Sequence, residues 1–435
     1  MAFEEPLDSL EPTPSIPHTE EEFVSEEGYL PSIPKGHEPP LQRFVNWFKE
    51  WPNICALFLA LVILILHLVI INDVTSQILD EKHYVPEANA LLEGEDLTDA
   101  KYNPEHPPLG KLLLAGGIKS FGDKPLGWRI FPVLFGTASI ILFYLICRKL
   151  TSRRWLPVTA TFLFAFENMC FVMSSVAMLD VFSVTLMLAS FLLYLNYKYL
   201  PAGIAVALSA LVKLNGAFAG GIILLHWLLV RRKPKLDGVK FLFAAPAAFF
   251  ALMPLFDRLA MSKWLTPWDR VNEMINTAET LTFASVDHPA EARPWDWLFS
   301  PDPMWFWYSP TYQAAPNWTL WALTIPVMCF ALYGLIKRSS VSTFSLSWFI
   351  GTYLTWIPIV LITDRVMFKF YFYPAIGAVC LVLGLSIHQI LKASLRIENR
   401  PLKWSVRIPA IAFLLGHLAV FIILSPYCGW PEASY

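Results

Sequence analysis

The sequence predicts an all-α polytopic membrane protein, with about eleven transmembrane helices and two long outer loops. Three observations carry that expectation. Of 435 residues, 55% are apolar and only 16% charged, far from a soluble globular average. Several apolar runs are long enough to cross roughly 30 Å of hydrocarbon as helices, and no period-two alternation suggests a barrel. Lys and Arg collect on alternate connections, as short cytoplasmic loops retain positive charge.

Taken in order, residues 1–50 are acidic, proline-rich and polar, without a cleavable signal peptide, and read as a disordered cytoplasmic tail. The transmembrane domain covers residues 51–425. Spans are expected near Pro52–Ile71, Trp128–Cys147, Pro157–Phe171, Val181–Tyr197, Gly203–Leu214 and Phe218–Val230. Others follow near Phe241–Leu259, Leu320–Ile336, Phe344–Ile362, Phe370–Leu391 and Ile408–Leu424. With the N-terminus inside, the inner connections carry Arg148, Lys149, Arg153 and Arg154, then Arg231, Arg232, Lys233 and Lys235, and later Lys337 and Arg338. An odd number of crossings places the C-terminal tail, residues 426–435, on the outer face of the plasma membrane.

Two outer connections stand out by length, residues 72–127 and 260–318, and long loops in a compact membrane protein usually carry function. The first starts acidic, has a turn-rich centre, and contains Pro108–Phe121, apolar but short and glycine-broken, which reads as an interfacial or re-entrant helix. The second is rich in Trp, Pro and Tyr and suits the headgroup layer. Asn317-Trp318-Thr319 fits a glycosylation acceptor pattern but abuts a span.

Composition also excludes. A net charge of -2 provides no overall basic field for a nucleic acid. Five of the six cysteines lie in or beside apolar segments and Cys428 stands alone, so there is neither a disulfide framework nor a zinc spacing.

The chemistry-bearing residues gather in the first outer loop. Asp80-Glu81-Lys82-His83-Tyr84 and Asn103-Pro104-Glu105-His106-Pro107-Pro108-Leu109-Gly110-Lys111 bring together acids, histidines and a lysine that can deprotonate a nucleophile and bind phosphate. Any one such acid can simply keep a loop in water; the grouping is what points to a site. Lys213 lies between two apolar segments with no acidic neighbour nearby in sequence, and an ionisable group near membrane depth is costly enough to suggest function. Arg129 and Arg365, at helix ends, read either as phosphate ligands or as snorkelling cations.

Asp80-Glu81 followed by His106-Pro107-Pro108-Leu109-Gly110-Lys111-Leu112-Leu113 resembles the first-loop signature of the dolichyl-phosphate-mannose protein O-mannosyltransferase family. Gly127-Trp128-Arg129 resembles the start of that family's second helix. The block from Glu167-Asn168 to Met178-Leu179-Asp180 resembles its acid-Asn to Leu-Leu-Asp stretch, and Lys213-Leu214-Asn215-Gly216 its Lys-aromatic-Gly segment. Arg365 with Tyr371 and Tyr373 resembles the late Arg and aromatic pattern. The resemblance spans residues 72–391. Two departures are visible: the second outer loop is too short for the β-trefoil of eukaryotic members, which suggests a prokaryotic type, and Ser175 stands where those members usually have Arg.

The resemblance implies a GT-C-type glycosyltransferase that moves mannose or another hexose from a polyprenyl-phosphate sugar to Ser/Thr hydroxyls of exported proteins. Asp80 would be the general base, with Glu81 beside it, and inversion needs no carboxylate nucleophile. The leaving polyprenyl phosphate needs cationic partners, for which His106, Lys111, Arg129, Lys213 and Arg365 are the candidates. Asn168, Asp180, His288, Arg293 and Tyr308 are candidates for sugar or acceptor contacts. A metal held by His106 and His288 is the alternative to a metal-independent site, which is preferred because two histidines are too few. A lipid or small-molecule acceptor from the same donor, or a transporter, are the competing functions; against a transporter, no internal repeat is visible and the charges gather at one outer face.

Overall fold

A computed structural model of the chain describes residue 42 and residues 46–95, 104–230, 236–261, 263–286, 288–300 and 302–428. Most of the predicted N-terminal tail, Asn103, the basic connection 231–235 and the last seven residues of the C-terminal tail lie outside the described residues.

The described chain is a helical bundle. Among the described residues seven helices are long and apolar enough to cross a membrane: Trp51–Ile70, Pro125–Leu150, Gly238–Met261, Trp318–Ile336, Ser340–Thr363, Lys369–Leu395 and Arg400–Leu424. A bent pair, Leu156–Ala165 and Asn168–Ser175, makes an eighth if taken as one span. Leu179–Leu195, Tyr199–Val212 and Leu214–Leu229 are shorter and apolar. Length and composition therefore qualify seven or eight of the eleven expected crossings.

The helices used below are α1 (Trp51–Ile70), α2 (Glu81–Glu93), α3 (Leu109–Phe121), α4 (Pro125–Leu150), α5 (Leu156–Ala165), α6 (Asn168–Ser175), α7 (Leu179–Leu195) and α8 (Tyr199–Val212). Proline opens several of them, including α1, α4 and α5, where its fixed φ is helical and its missing N–H would have had no partner. Lys369–Leu395 is the central span: 89% of its most apolar window is inside the molecule, against 17% for Arg400–Leu424.

Three local expectations are corrected. The predicted straight span Pro157–Phe171 is broken by 56° because Glu167 leaves the helical region and its carboxylate accepts from the Cys170 amide at 2.8 Å, starting a new helix. The first outer loop also holds a helix that was not expected after its acidic start: residues Glu81–Glu93 form α2, closed by Gly94 at φ 75, a left-handed cap that glycine adopts without a Cβ penalty. The all-α expectation also missed a two-stranded antiparallel hairpin, Met304–Trp307 with Tyr312–Ala314, in the second outer loop.

The stretch expected to be a short helix is α3. Its Gly117 lies so close to α4 that a Cβ there would sit 2.4 Å from the Gly127 carbonyl oxygen, so the glycines that interrupt the apolar run are what let the two helices cross. In the second loop, Pro267–Glu279 is a helix opened by Thr266, whose hydroxyl accepts from the Asp269 amide at 3.2 Å. That loop is bonded to the segment before the central span by two antiparallel bridges, Thr282 with Arg365 and Glu291 with Phe368. Asn317 of the acceptor-like triplet is fully buried and caps the helix Trp318–Ile336.

Candidate active site

Asp80 stands immediately before α2, at the end of a turn in which Leu79 is held at φ 47, a conformation that costs a branched side chain roughly 1–2 kcal/mol. What over-determines the turn is Glu81, whose carboxylate is fully buried and accepts four hydrogen bonds. Oε1 takes Arg129 Nε and the Ala177 amide, both at 2.8 Å, and Oε2 takes Arg129 Nη2 at 2.7 Å and the Ile78 amide at 3.1 Å. Arg129 in turn donates to the carbonyls of Ile71, Val74 and Ser76 at 3.2, 2.7 and 3.2 Å. One ion pair thus ties the turn carrying Asp80 to α4 and to the Ala177 segment that launches α7.

At the first turn of α7 sits Asp180, and at the C-cap of α8 sits Lys213. Lys213 Nζ donates to both Asp180 oxygens at 2.9 Å, and the pair is buried. Each charge complements its helix end, the carboxylate at an N-terminus and the ammonium at a C-terminus. The ammonium also lies 5.0 Å from the Tyr371 ring centroid and 5.4 Å from that of Phe370. The acid that sequence reading could not find near Lys213 lies 33 residues away along the chain.

The Asp80 carboxylate, half-buried, makes no side-chain hydrogen bond or ion pair with the described residues. Burial pushes its pKa up; Lys213 pulls it back, Asp180 raises it, His83 lowers it and Glu105 raises it again. Burial holds the His106 ring well below the usual histidine range, and the charges of Lys213, Lys111 and Arg365 add to that. Asp80, Glu105, His106, Asp180, Lys213 and Arg365 therefore form one electrostatically coupled group. Arg365 is aimed by the bridge to Thr282 and by a 2.8 Å bond from Nη1 to the Ala278 carbonyl, its other side-chain nitrogens making no hydrogen bond among the described residues.

The remaining predicted residues are placed differently. Arg129 and Glu81, expected respectively at the donor phosphate and beside the base, are instead engaged with one another and with backbone, so their donors and acceptors are already occupied. Lys111 is buried against Glu87 at 2.8 Å. Asn168 is fully buried, donating to the Phe421 carbonyl at 3.0 Å and accepting from Asn317 at 3.3 Å, a structural position rather than one open to a sugar. His288 packs edge-on to Phe368 at 5.1 Å and its Nδ1 accepts from the Ala290 amide at 3.1 Å. Arg293 lies over Phe283 at 4.2 Å and meets Asp364 at 3.3 Å, while Tyr308 is exposed and stacked on Trp305 at 5.4 Å. Among the described residues no three His, Cys, Asp or Glu side chains converge as a metal site would require, and all six cysteines are free.

Sequence reasoning missed Arg270. It is buried in the helix Pro267–Glu279, donates Nη2 to the His106 carbonyl at 3.3 Å, and stands 3.5 Å from the buried Asp257 carboxylate and 2.5 Å from Glu273. Its only sequence signal was a charge in a loop that read as headgroup-facing.

Residues 119–256 match the family model described as Dolichyl-phosphate-mannose-protein mannosyltransferase. Over that stretch, about a third of its length, the chain is similar to this protein mannosyltransferase family. The matched stretch includes Asp180 and Lys213, whereas Asp80, His106 and Arg365 fall outside it. The polyprenol-phosphate-mannose–protein mannosyltransferase of Mycolicibacterium smegmatis is 33% identical over 166 residues, 37% of this chain and 31% of that protein. The match thus spans under a third of the mycobacterial relative. The Corynebacterium glutamicum protein of the same name is 25% identical over 405 residues, covering 72% of this chain and 77% of its own. The solved Saccharomyces cerevisiae protein O-mannosyltransferase Pmt1-Pmt2 complex bound to the sugar donor superposes with a TM-score of 0.69 at 14% identity, over 87% of this chain and 90% of that one. That likeness shows the fold, a GT-C architecture.

Proposed function

We propose that this chain transfers mannose, or a closely related hexose, from a polyprenyl-phosphate sugar to Ser/Thr hydroxyls of proteins, with inversion at the sugar carbon and Asp80 as general base. The observation that carries the reading is the Asp80 carboxylate, which is half-buried, makes no side-chain bond to the described residues, and is coupled electrostatically to Lys213. A serine or threonine hydroxyl has too high a pKa to attack unaided, so its proton passes to Asp80 as its oxygen bonds to the anomeric carbon. The bond from that carbon to the phosphate oxygen breaks on the opposite face, and the leaving polyprenyl phosphate keeps the electron pair. Lys213 and Arg365 stabilise that anion: Lys213 has one N–H beyond the two given to Asp180, and Arg365 has nitrogens beyond the one bonded to Ala278.

Asp180 acts as the counter-ion that holds Lys213, and Glu81 with Arg129 positions Asp80. The raised pKa of Asp80 serves a base, since the ideal value lies nearer the working pH than that of a free carboxylate. In this reading the site faces outward across the plasma membrane, with the N-terminus cytoplasmic and no metal in the transfer step.

The test is transfer of label from polyprenyl-phosphate mannose to Ser/Thr peptides by the purified full chain, with the anomeric configuration of the product read by NMR. Asp80→Asn should lower the rate by about 10²–10⁴ while leaving thermal unfolding unchanged. Undiminished transfer by this variant removes Asp80 as the base, and a product with retained configuration removes the single-displacement scheme.

A further inference from the structure

The helix Pro267–Glu279 in the second outer loop has three distinct sides, and only one of them faces the site. That inner side is formed by Arg270 and Met274, four residues apart and both buried. Met274 clusters with Met253 of the span Gly238–Met261 and with Leu211 of α8, while Arg270 reaches Asp257 of that span at 3.5 Å and the His106 carbonyl at 3.3 Å. Near the far end of the helix the Ala278 carbonyl accepts from Arg365 Nη1 at 2.8 Å. The helix is thus fastened along its length to His106 and Arg365, two members of the coupled group around Asp80.

The second side is apolar and open. Trp268 and Ile275, about two turns apart, share one face and are 68% and 44% exposed, and Trp264, in the connection just before the helix, is 70% exposed. The third side carries exposed Asp269, Asn272, Asn276 and Glu279. An open apolar stripe beside a polar one, on a helix whose remaining side is already packed, is the pattern of a helix lying at a membrane surface.

Its place in the chain names what covers that stripe. The helix opens shortly after Met261, where the span Gly238–Met261 ends, and indole rings at such a boundary mark the headgroup layer. The single cation of the helix is the buried Arg270, whereas Asp269, Glu273 and Glu279 are acidic, so its hold on a bilayer is by apolar burial and not by attraction to anionic lipid. We propose that Trp264, Trp268 and Ile275 seat this helix in the headgroup layer at the membrane face that holds Asp80, and that the seat fixes the height of His106 and Arg365 against a lipid-borne phosphate. The seat itself needs no transfer reaction; only its consequence for the donor phosphate rests on the proposed function.

The experiment attaches an environment-sensitive fluorophore at Trp268→Cys or at Asn272→Cys, in a full chain carrying Cys55→Ser/Cys329→Ser/Cys428→Ser so that the other native cysteines are buried. In nanodiscs of phosphatidylcholine alone, a nitroxide near the top of the lipid acyl chain should quench the label at position 268 and aqueous iodide should not; at position 272 the order should reverse. Iodide quenching of both positions without lipid quenching overturns the proposal, and so does lipid quenching at 268 that appears only once phosphatidylglycerol is added. The link to the site is measured by hydrogen exchange without substrate. Trp264→Ser/Trp268→Ser should speed exchange about five-fold over residues 104–112 and 363–368, whereas Trp404→Ser, an exposed indole on another helix, should leave both segments unchanged. Unaltered exchange in the loop variant, or an equal rise in Trp404→Ser, overturns the link. Neither measurement uses donor or acceptor, so a failure here is distinct from a failure of the transfer assay on Asp80→Asn.

Discussion

The Glu81–Arg129 pair distinguishes a ligand-binding arginine from one that holds the site together. Replacing Arg129 with Met keeps the volume near that of the aliphatic stem and leaves the Glu81 carboxylate fully buried, with only the Ala177 and Ile78 amides for company. At 2.7 Å and an effective dielectric of about 20, the pair's gross attraction is roughly 6 kcal/mol. Desolvation offsets much of this in the intact protein, but removing one partner of a buried pair costs about 3–5 kcal/mol because the other charge stays behind. Arg129→Met and Glu81→Gln should each lower stability on that scale. The double variant should lose less than the sum of the two, by a coupling of up to about 3 kcal/mol. The assay is tryptophan-fluorescence unfolding of the three variants in nanodiscs, with the KM for the polyprenyl-phosphate sugar measured on the folded fraction. If Arg129→Met unfolds like the parent and only raises the donor KM, the structural reading is wrong and the arginine belongs to the phosphate.

Three further outcomes follow from the same geometry. The working form of Asp80 is ionised, so transfer should fall as pH drops through a value above the ordinary carboxylate pKa of about 3.9; Glu105→Gln, which removes a negative neighbour, should move that acid limb of kcat/KM downward, and an unmoved limb would refute the coupling. Lys213→Met/Asp180→Asn removes a charge that lowers Asp80 and one that raises it, so the limb should move little while the donor KM rises about tenfold, the worth of one charge-assisted bond; an unchanged KM would take Lys213 out of phosphate binding. Arg270→Gln should loosen the His106 carbonyl and lower kcat about tenfold, with faster hydrogen exchange over residues 104–108; normal exchange there would mean that the 3.3 Å bond is not a tether.

The membrane architecture was legible because long apolar runs have few other uses, and the short helix α3 was legible despite its glycines. The break at Glu167 was not, since it depends on a carboxylate turning back to cap its own chain, a local choice that composition does not encode. Of the site, Asp80, His106, Lys213 and Arg365 could be singled out as ionisable groups beside apolar segments, and the structure gathers them with Asp180 and Glu105. Misreading came where a residue's partner lies far along the chain. Arg129 looked like a free cation because Glu81 is 48 residues away, and Lys111 looked free because its partner Glu87 lies on α2, a helix that sequence reading did not expect. Arg270 was passed over for the same reason, its carbonyl partner being 164 residues distant.

The bridges from Thr282 to Arg365 and from Glu291 to Phe368 make the second outer loop and the cation beside the site parts of one backbone fabric. If the proposed polypeptide acceptor enters by a shift of that loop, the guanidinium moves with it. In the proposed reaction, acceptor entry and the hold on the lipid anion would therefore be mechanically yoked, an acceptor that seats the loop also seating the charge proposed to receive the leaving group.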